Sequence, residues 1–122
     1  MVKFDTDKPI LDRDKRPQRE PEIGMDGNVV WMDEESQIPK TRIITHGMVA
    51  VRAIDQVVED EDRKLPRDVI KKRNKFCDKL MDGGVHELAD DEARLICQRV
   101  NMFGLMIAAQ IQDAIDPEGK FE

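Results

Sequence analysis

The amino-acid sequence predicts a mainly α-helical protein: a three-helix C-terminal unit with a long C-terminal helix, preceded by an extended N-terminal arm with room for a short β-hairpin. Three observations lead there. Residues 45–115 carry apolar side chains at the three-and-four spacing of amphipathic helices. Residues 1–44 lack that spacing and hold Pro9, Pro17, Pro21 and Pro39 with Gly24 and Gly27. Proline fixes φ and removes a backbone donor, so continuous helix is disfavoured there. The third observation is size and composition. A chain of 122 residues is long enough to bury one core, yet 38% of it is charged and it has four Phe, one Trp and no Tyr. A chain this poor in apolar residues is expected to keep part of its length extended, ordering only against another surface. The expected organisation is an arm over residues 1–44 and a helical domain over residues 45–122.

Taken in order, the stretch from Asp5 to Pro21 is charged and proline-punctuated, as an arm would be. Val29-Val30-Trp31-Met32 follows the turn-type Asp26-Gly27-Asn28 and is expected to pair with Arg42-Ile43-Ile44-Thr45 across the polar loop between them. Thr45 is a good N-cap for helix one, which the spacing of Ala50, Ile54, Val57 and Val58 extends from His46 to about Glu59. The run Glu59-Asp60-Glu61-Asp62 would oppose the macrodipole at a helix C-terminus and is expected to form the connecting loop. Pro66 suits a first helical turn. Helix two is expected from there to Met81, burying Val69, Phe76, Cys77 and Leu80, with Gly83-Gly84 as its stop. Helix three is expected to begin at Asp90-Asp91-Glu92 and to run unbroken to about Ile115, before Asp116-Pro117-Glu118-Gly119.

Helix three carries the functional expectation. Ile96, Val100, Phe103, Ile107 and Ala114 describe one apolar face, and Leu95, Met102, Met106 and Ala109 a second. A surface helix normally has one stripe, so the remainder must be covered by the chain itself, a second copy or a different protein. Gly104, Ala108 and Ala109 supply small residues for a close helix approach. The interface is therefore expected at Leu95, Met102, Phe103, Met106 and Ala109, joined by Trp31 of the hairpin, in a self-associating module with a protein partner.

Other chemistries find less material. A formal charge of −6 and a pI near 5.0 argue against sequence-independent nucleic-acid binding, which needs surplus Lys and Arg. The two histidines, His46 and His86, are read as capping or surface residues, and the chain has no glycine-rich phosphate loop. No catalytic, metal or cofactor role is expected. Consecutive Asp90, Asp91 and Glu92 do not converge on one point from a helix and are read as helix-start charges. Cys77 and Cys97 lie in separate helices without metal or redox spacing and are read as reduced core thiols. The strongest charge feature is the basic cluster Arg63, Lys64, Arg67, Lys71, Lys72, Arg73, Lys75 and Lys79. As an alternative function, Arg67, Lys71, Lys72, Lys75 and Lys79 would hold a nucleotide or nucleic acid on helix two, although aromatic partners for stacking bases are nearly absent. No apolar run is long enough to span a bilayer and no secretory signal opens the chain, so a cytoplasmic protein without membrane partners is expected.

From about Thr45 to Ile115 the pattern resembles a group of small proteins of tailed phages and prophages. The matching segments are Thr45-His46-Gly47-Met48-Val49-Ala50, then Lys79-Leu80-Met81-Asp82-Gly83-Gly84-Val85-His86-Glu87-Leu88, then Asp91-Glu92-Ala93-Arg94-Leu95-Ile96. The chain departs from that group in the insertion between about Arg16 and Thr41, and in Ala89 where a Ser or Thr cap is expected. The resemblance implies an assembly factor, regulator or inhibitor of a host system, located in the host cytoplasm or on the virion.

Overall fold

The computed structural model describes residues 2–56 and 65–121. Its chain divides into two compact units, one of Met1–Lys8 with Thr45–Glu122 and the other of Pro9–Ile44. The described residues are 45% helix and 22% strand, the strands lying in several small antiparallel sheets. The fold is mixed α/β, which corrects the mainly α expectation and its single long C-terminal helix.

The first unit begins with a strand that sequence periodicity alone does not reveal. Strand β1 (Val2–Asp5) pairs antiparallel with a strand at Val85–Leu88, Val2 opposite Leu88 and Phe4 opposite His86. Alternation puts Phe4 and Leu88 inside while Lys3 and Glu87 face solvent. The chain then locks onto the glycine stop: Thr6 donates both N–H and Oγ1 to the Gly84 carbonyl at 3.0 and 2.7 Å, and Gly84 N–H donates to Asp7 at 2.9 Å. Gly83 and Gly84 both have φ of +81°, which glycine tolerates without steric cost. Residues expected in a free arm thus close the helical unit.

Helix α1 (His46–Asp55) starts where Thr45 Oγ1 accepts from Met48 N–H. It ends at Asp55, short of the expected Glu59, where Gln56 turns extended at φ −70° and ψ 128°; Val57 and Val58, expected in this helix, and the acidic run from Glu59 to Asp62 lie outside the described residues, as do Arg63 and Lys64. Helix α2 (Arg67–Met81) buries Phe76, Cys77 and Leu80 and leaves Val69 half-exposed. Helix α3 (Asp90–Arg99) lacks a capping hydroxyl, but Glu92 Oε1 accepts the Ala89 N–H at 2.9 Å, supplying half of a capping box. Helix α1 packs against α2 and α3, and the core gathers Val49, Ala50, Ala53, Ile54, Leu80, Ile96 and Val100.

The expected long helix is broken. After α3 the chain tightens into a 3₁₀ turn (Val100–Phe103), and Gly104 at φ 90° and ψ 166° ends it before α4 (Leu105–Ile115). That backbone region is open almost only to glycine and cannot continue a helix. Gly104 is therefore a hinge between helices rather than a small residue for close approach. The break also re-phases the buried face: in α4, Ala108, Ile111 and Ile115 are inside, while Phe103, Ile107 and Ala114 are only half-buried. Gln112 bridges the break, donating its amide to the Cys97 carbonyl and to Asn101 Oδ1, each at 2.9 Å. A carbonyl near the end of α3 is thereby satisfied.

The second unit is built from backbone hydrogen bonds more than from a core. Ile10 N–H donates to the Ile44 carbonyl, Ile44 N–H to Gln18, and Gln18 N–H back to Ile10, a closed ring of three bonds at 2.8–2.9 Å. Glu22, Lys40 and Val30 form a second ring in the same way at 2.7–2.8 Å. Between the rings, β2 (Arg19–Pro21) pairs with β5 (Thr41–Ile43). A hairpin joins β3 (Trp31–Asp33) to β4 (Ile38–Pro39), with Trp31 opposite Pro39. This corrects the expected hairpin, because Arg42 and Ile43 pair with β2 and not with the Trp31 segment. The tighter closure follows from Asp33, whose Oδ1 accepts from Glu35 and Ser36 N–H, and from Gln37 at φ 52°. Asp12 and Asp26 initiate the other two corners in the same way, with Lys15 and Gly27 at positive φ.

Candidate interaction surface

Three segments held by backbone rings leave their side chains pointing outward, and this is where the apolar surface collects. Eleven large hydrophobic residues are exposed among the described residues, and six of them, Ile23, Met25, Trp31, Met32, Ile38 and Ile43, belong to Pro9–Ile44. Strand β3 is exposed along its whole length; Met32 is 72% exposed and Trp31 43%. A strand of a solvated sheet normally turns one face to a core. An exposed Trp with neighbouring Met and Ile residues instead matches the composition of binding surfaces.

The corners around these side chains are acidic. Asp26, Asp33, Glu34 and Glu35 are all exposed. The Asp26 carboxyl is held below its ordinary value because it accepts hydrogen bonds from the Asn28 backbone N–H and side-chain amide. On the β2–β5 ladder, Arg42 Nε meets Glu20 Oε1 at 2.9 Å and Arg19 Nε donates to Thr41 Oγ1 at 2.8 Å. Those pairs stand in solvent and set register more than they stabilise.

The residues expected at a helix-three interface do not form one stripe. Leu95 is half-buried on α3, Met102 is 42% exposed in the 3₁₀ turn, Phe103 and Met106 are half-buried, and Ala109 is exposed on α4. The break at Gly104 separates them. Beside it stands Leu105, 87% exposed, which the straight-helix reading did not assign to either face. Only Trp31, of the expected set, lies in the apolar collection of residues 9–44. A sequence signal for two of the others was present: Met25 and Met32 each precede an Asp that opens a corner, Asp26 and Asp33.

The expected anion site is intact as a surface. Arg67, Lys71, Lys72, Lys75 and Lys79 are all exposed on α2. Beside them runs a groove of about 360 Å³ between α2 and α3, floored by Val69, Phe76 and Leu95.

The histidines sit differently from one another. His46 is 2% exposed, its ring 6.3 Å from that of Phe4, which corrects the capping or surface role. His86 Nε2 lies 2.8 Å from the Gly83 carbonyl and belongs to the glycine stop. Cys77 and Cys97 are buried and unpaired with one another, and burial is the main cause that pushes each thiol up to about 11. Among the described residues, no group of three or more His, Cys, Asp or Glu is placed to hold a metal ion, and no helix is long and apolar enough to cross a membrane. Comparison of the chain with protein-family models, with curated proteins and with solved structures returned no match.

Proposed function

We propose that this chain is a non-enzymatic protein-interaction module of phage type, an assembly factor, regulator or inhibitor, which engages its partner through the apolar surface of residues 9–44. One observation carries the reading: among the described residues, six of the eleven exposed large hydrophobic residues fall in these 36 positions, the Trp31-Met32 pair of β3 among them. Burying such side chains releases about 25 cal/mol per Å², and Trp and Met anchors with polar surroundings are what interface cores use. The phage setting rests on the sequence pattern of residues 45–115.

The test is affinity capture of the tagged protein from host lysate, with and without phage infection, beside Trp31→Asp with Met32→Asp. Both side chains are exposed, and circular dichroism checks that the variant keeps its fold. A stoichiometric protein captured by the parent and lost with the variant supports the module. Equal capture by both places the contact elsewhere and sinks this reading of the surface.

A second reading is anion binding on α2, favoured by the exposure of all five of its expected basic residues. It requires retention of a nucleotide or nucleic acid that weakens steeply with salt and with Lys71→Glu plus Lys75→Glu. Failure to bind at low salt would remove it.

A further inference from the structure

We propose that the acidic, apolar hairpin segment of one copy docks on the basic groove between α2 and α3 of a second copy, so that the protein self-associates. The inference rests on reading residues 9–44 as a binding element and adds the identity of one occupant.

The argument is complementarity within one sequence. Residues 23–39 hold four Asp or Glu, all exposed, and no Lys or Arg, a net charge of −4. Helix α2 holds six Lys or Arg against two Asp, a net +4. These two charge distributions thus have opposite sign. Each is also joined to apolar surface. In the hairpin segment Trp31, Met32 and Ile38 are exposed beside Asp33, Glu34 and Glu35. On the helix, Val69, Lys72, Arg73 and Phe76 recur at three-and-four spacing and face Arg94 and Leu95 of α3 across the groove. Its floor is apolar and its α2 rim basic. The Asp91 and Glu92 carboxylates lie at the α3 end, where Glu92 already accepts the Ala89 N–H. A volume near 360 Å³ lies within the range of sites that enclose small ligands, and so has room for large side chains such as Trp and Met.

The two halves have no residue in common, so a copy that gives its hairpin to a second copy either receives that copy's hairpin in return, closing a twofold dimer, or passes the contact on to a third in a ring or chain. Opposite net charges steer the encounter and make it salt-sensitive, since screening shortens from about 10 Å at 0.1 M to about 3 Å at 1 M ionic strength.

Sedimentation velocity of the full-length protein tests this, run across protein concentration and at low and high sodium chloride. The parent is expected to grow in mass with concentration and to shrink with salt. Trp31→Ala with Met32→Ala removes the hairpin anchors, and Lys72→Glu with Lys75→Glu reverses charge at the groove rim and on the helix surface beside it. All four side chains are exposed, and circular dichroism of each variant checks the fold. Each variant alone is expected to lose association by roughly 30-fold or more, the usual cost of removing an interface anchor. Mixed one to one, they are expected to form a dimer, because one keeps an intact groove and the other an intact hairpin. A parent that stays monomeric to millimolar concentration overturns the inference, as does an associating parent whose mixed variants remain monomers. If the parent is monomeric yet still captures a host or phage protein through Trp31 and Met32, the module stands and self-docking falls. If nucleic acid is retained on α2 while mass is unchanged, the anion reading takes its place.

Discussion

Replacing Gly47 by alanine examines the contact that closes the N-terminal strand onto the helical unit. A Cβ built at Gly47 would lie 2.7 Å from Thr6 Cβ, 3.0 Å from the Thr6 carbonyl oxygen and 3.3 Å from Thr6 Cα. Carbon atoms pack best at about 3.5–4.0 Å, so the strand must retreat by roughly 1 Å. Thr6 is 2% exposed and held on both sides. Its carbonyl accepts the Gly47 N–H at 3.0 Å, and its own N–H and hydroxyl reach Gly84. Moving Thr6 by that distance takes the Gly47 bond beyond hydrogen-bonding range. Overpacking costs about 1–3 kcal/mol, and a lost hydrogen bond adds about 1 kcal/mol. The better helix propensity of alanine returns at most about 1 kcal/mol. The expected net loss is about 2 kcal/mol, which for a chain of this length lowers the midpoint by about 6–12 °C. Urea and thermal unfolding measure the loss, and amide exchange at Thr6 and Gly84 shows where it falls. A variant as stable as the parent, or more so, would refute the close packing of β1 against the start of α1.

The remaining predictions concern other elements. Gly104→Ala is expected to destabilise by about 1–3 kcal/mol although no atom would crowd its Cβ, because φ 90° with ψ 166° is closed to alanine. An unchanged or raised midpoint in thermal unfolding would mean that α3 and α4 run as one helix. Native Cys77 and Cys97, with thiols pushed up to about 11 against an ordinary 9.0, hold roughly a hundredfold less thiolate at pH 8 than free cysteine. Iodoacetamide should therefore label them slowly until denaturant is added, and fast native labelling would contradict their burial. Because the folded value lies above the unfolded one, the stability tied to these thiols is complete below about pH 9 and is lost as pH rises towards 11. Comparing the alkaline limb of the stability curve with that of Cys77→Ala plus Cys97→Ala isolates the effect, and identical limbs would deny it.

The features legible in the residues alone are local ones. Thr45 as a cap, Gly83-Gly84 as a stop and the apolar spacing within 46–54, 69–80 and 93–100 depend on neighbours a few residues away, and α1, α2 and α3 begin or end near those signals. Trp31 stood out for the same reason, within the short apolar run Val29-Val30-Trp31-Met32 after a turn. Tertiary structure decided the rest. Val2–Asp5 has too few residues to show a strand pattern alone, and becomes a strand because Val85–Leu88, some eighty positions away, offers an unpaired edge. Gly104 fits a straight helix by spacing as well as a break by conformation, and only packing selects the break, turning Ala108, Ile111 and Ile115 inward. In residues 9–44 the decisive bonds are backbone to backbone, Ile10 with Ile44 and Gln18, Glu22 with Lys40 and Val30. Main-chain groups are the same in every residue but proline, so side-chain identity cannot announce which of them will meet, and an apparent arm becomes a folded unit with its apolar side chains outside.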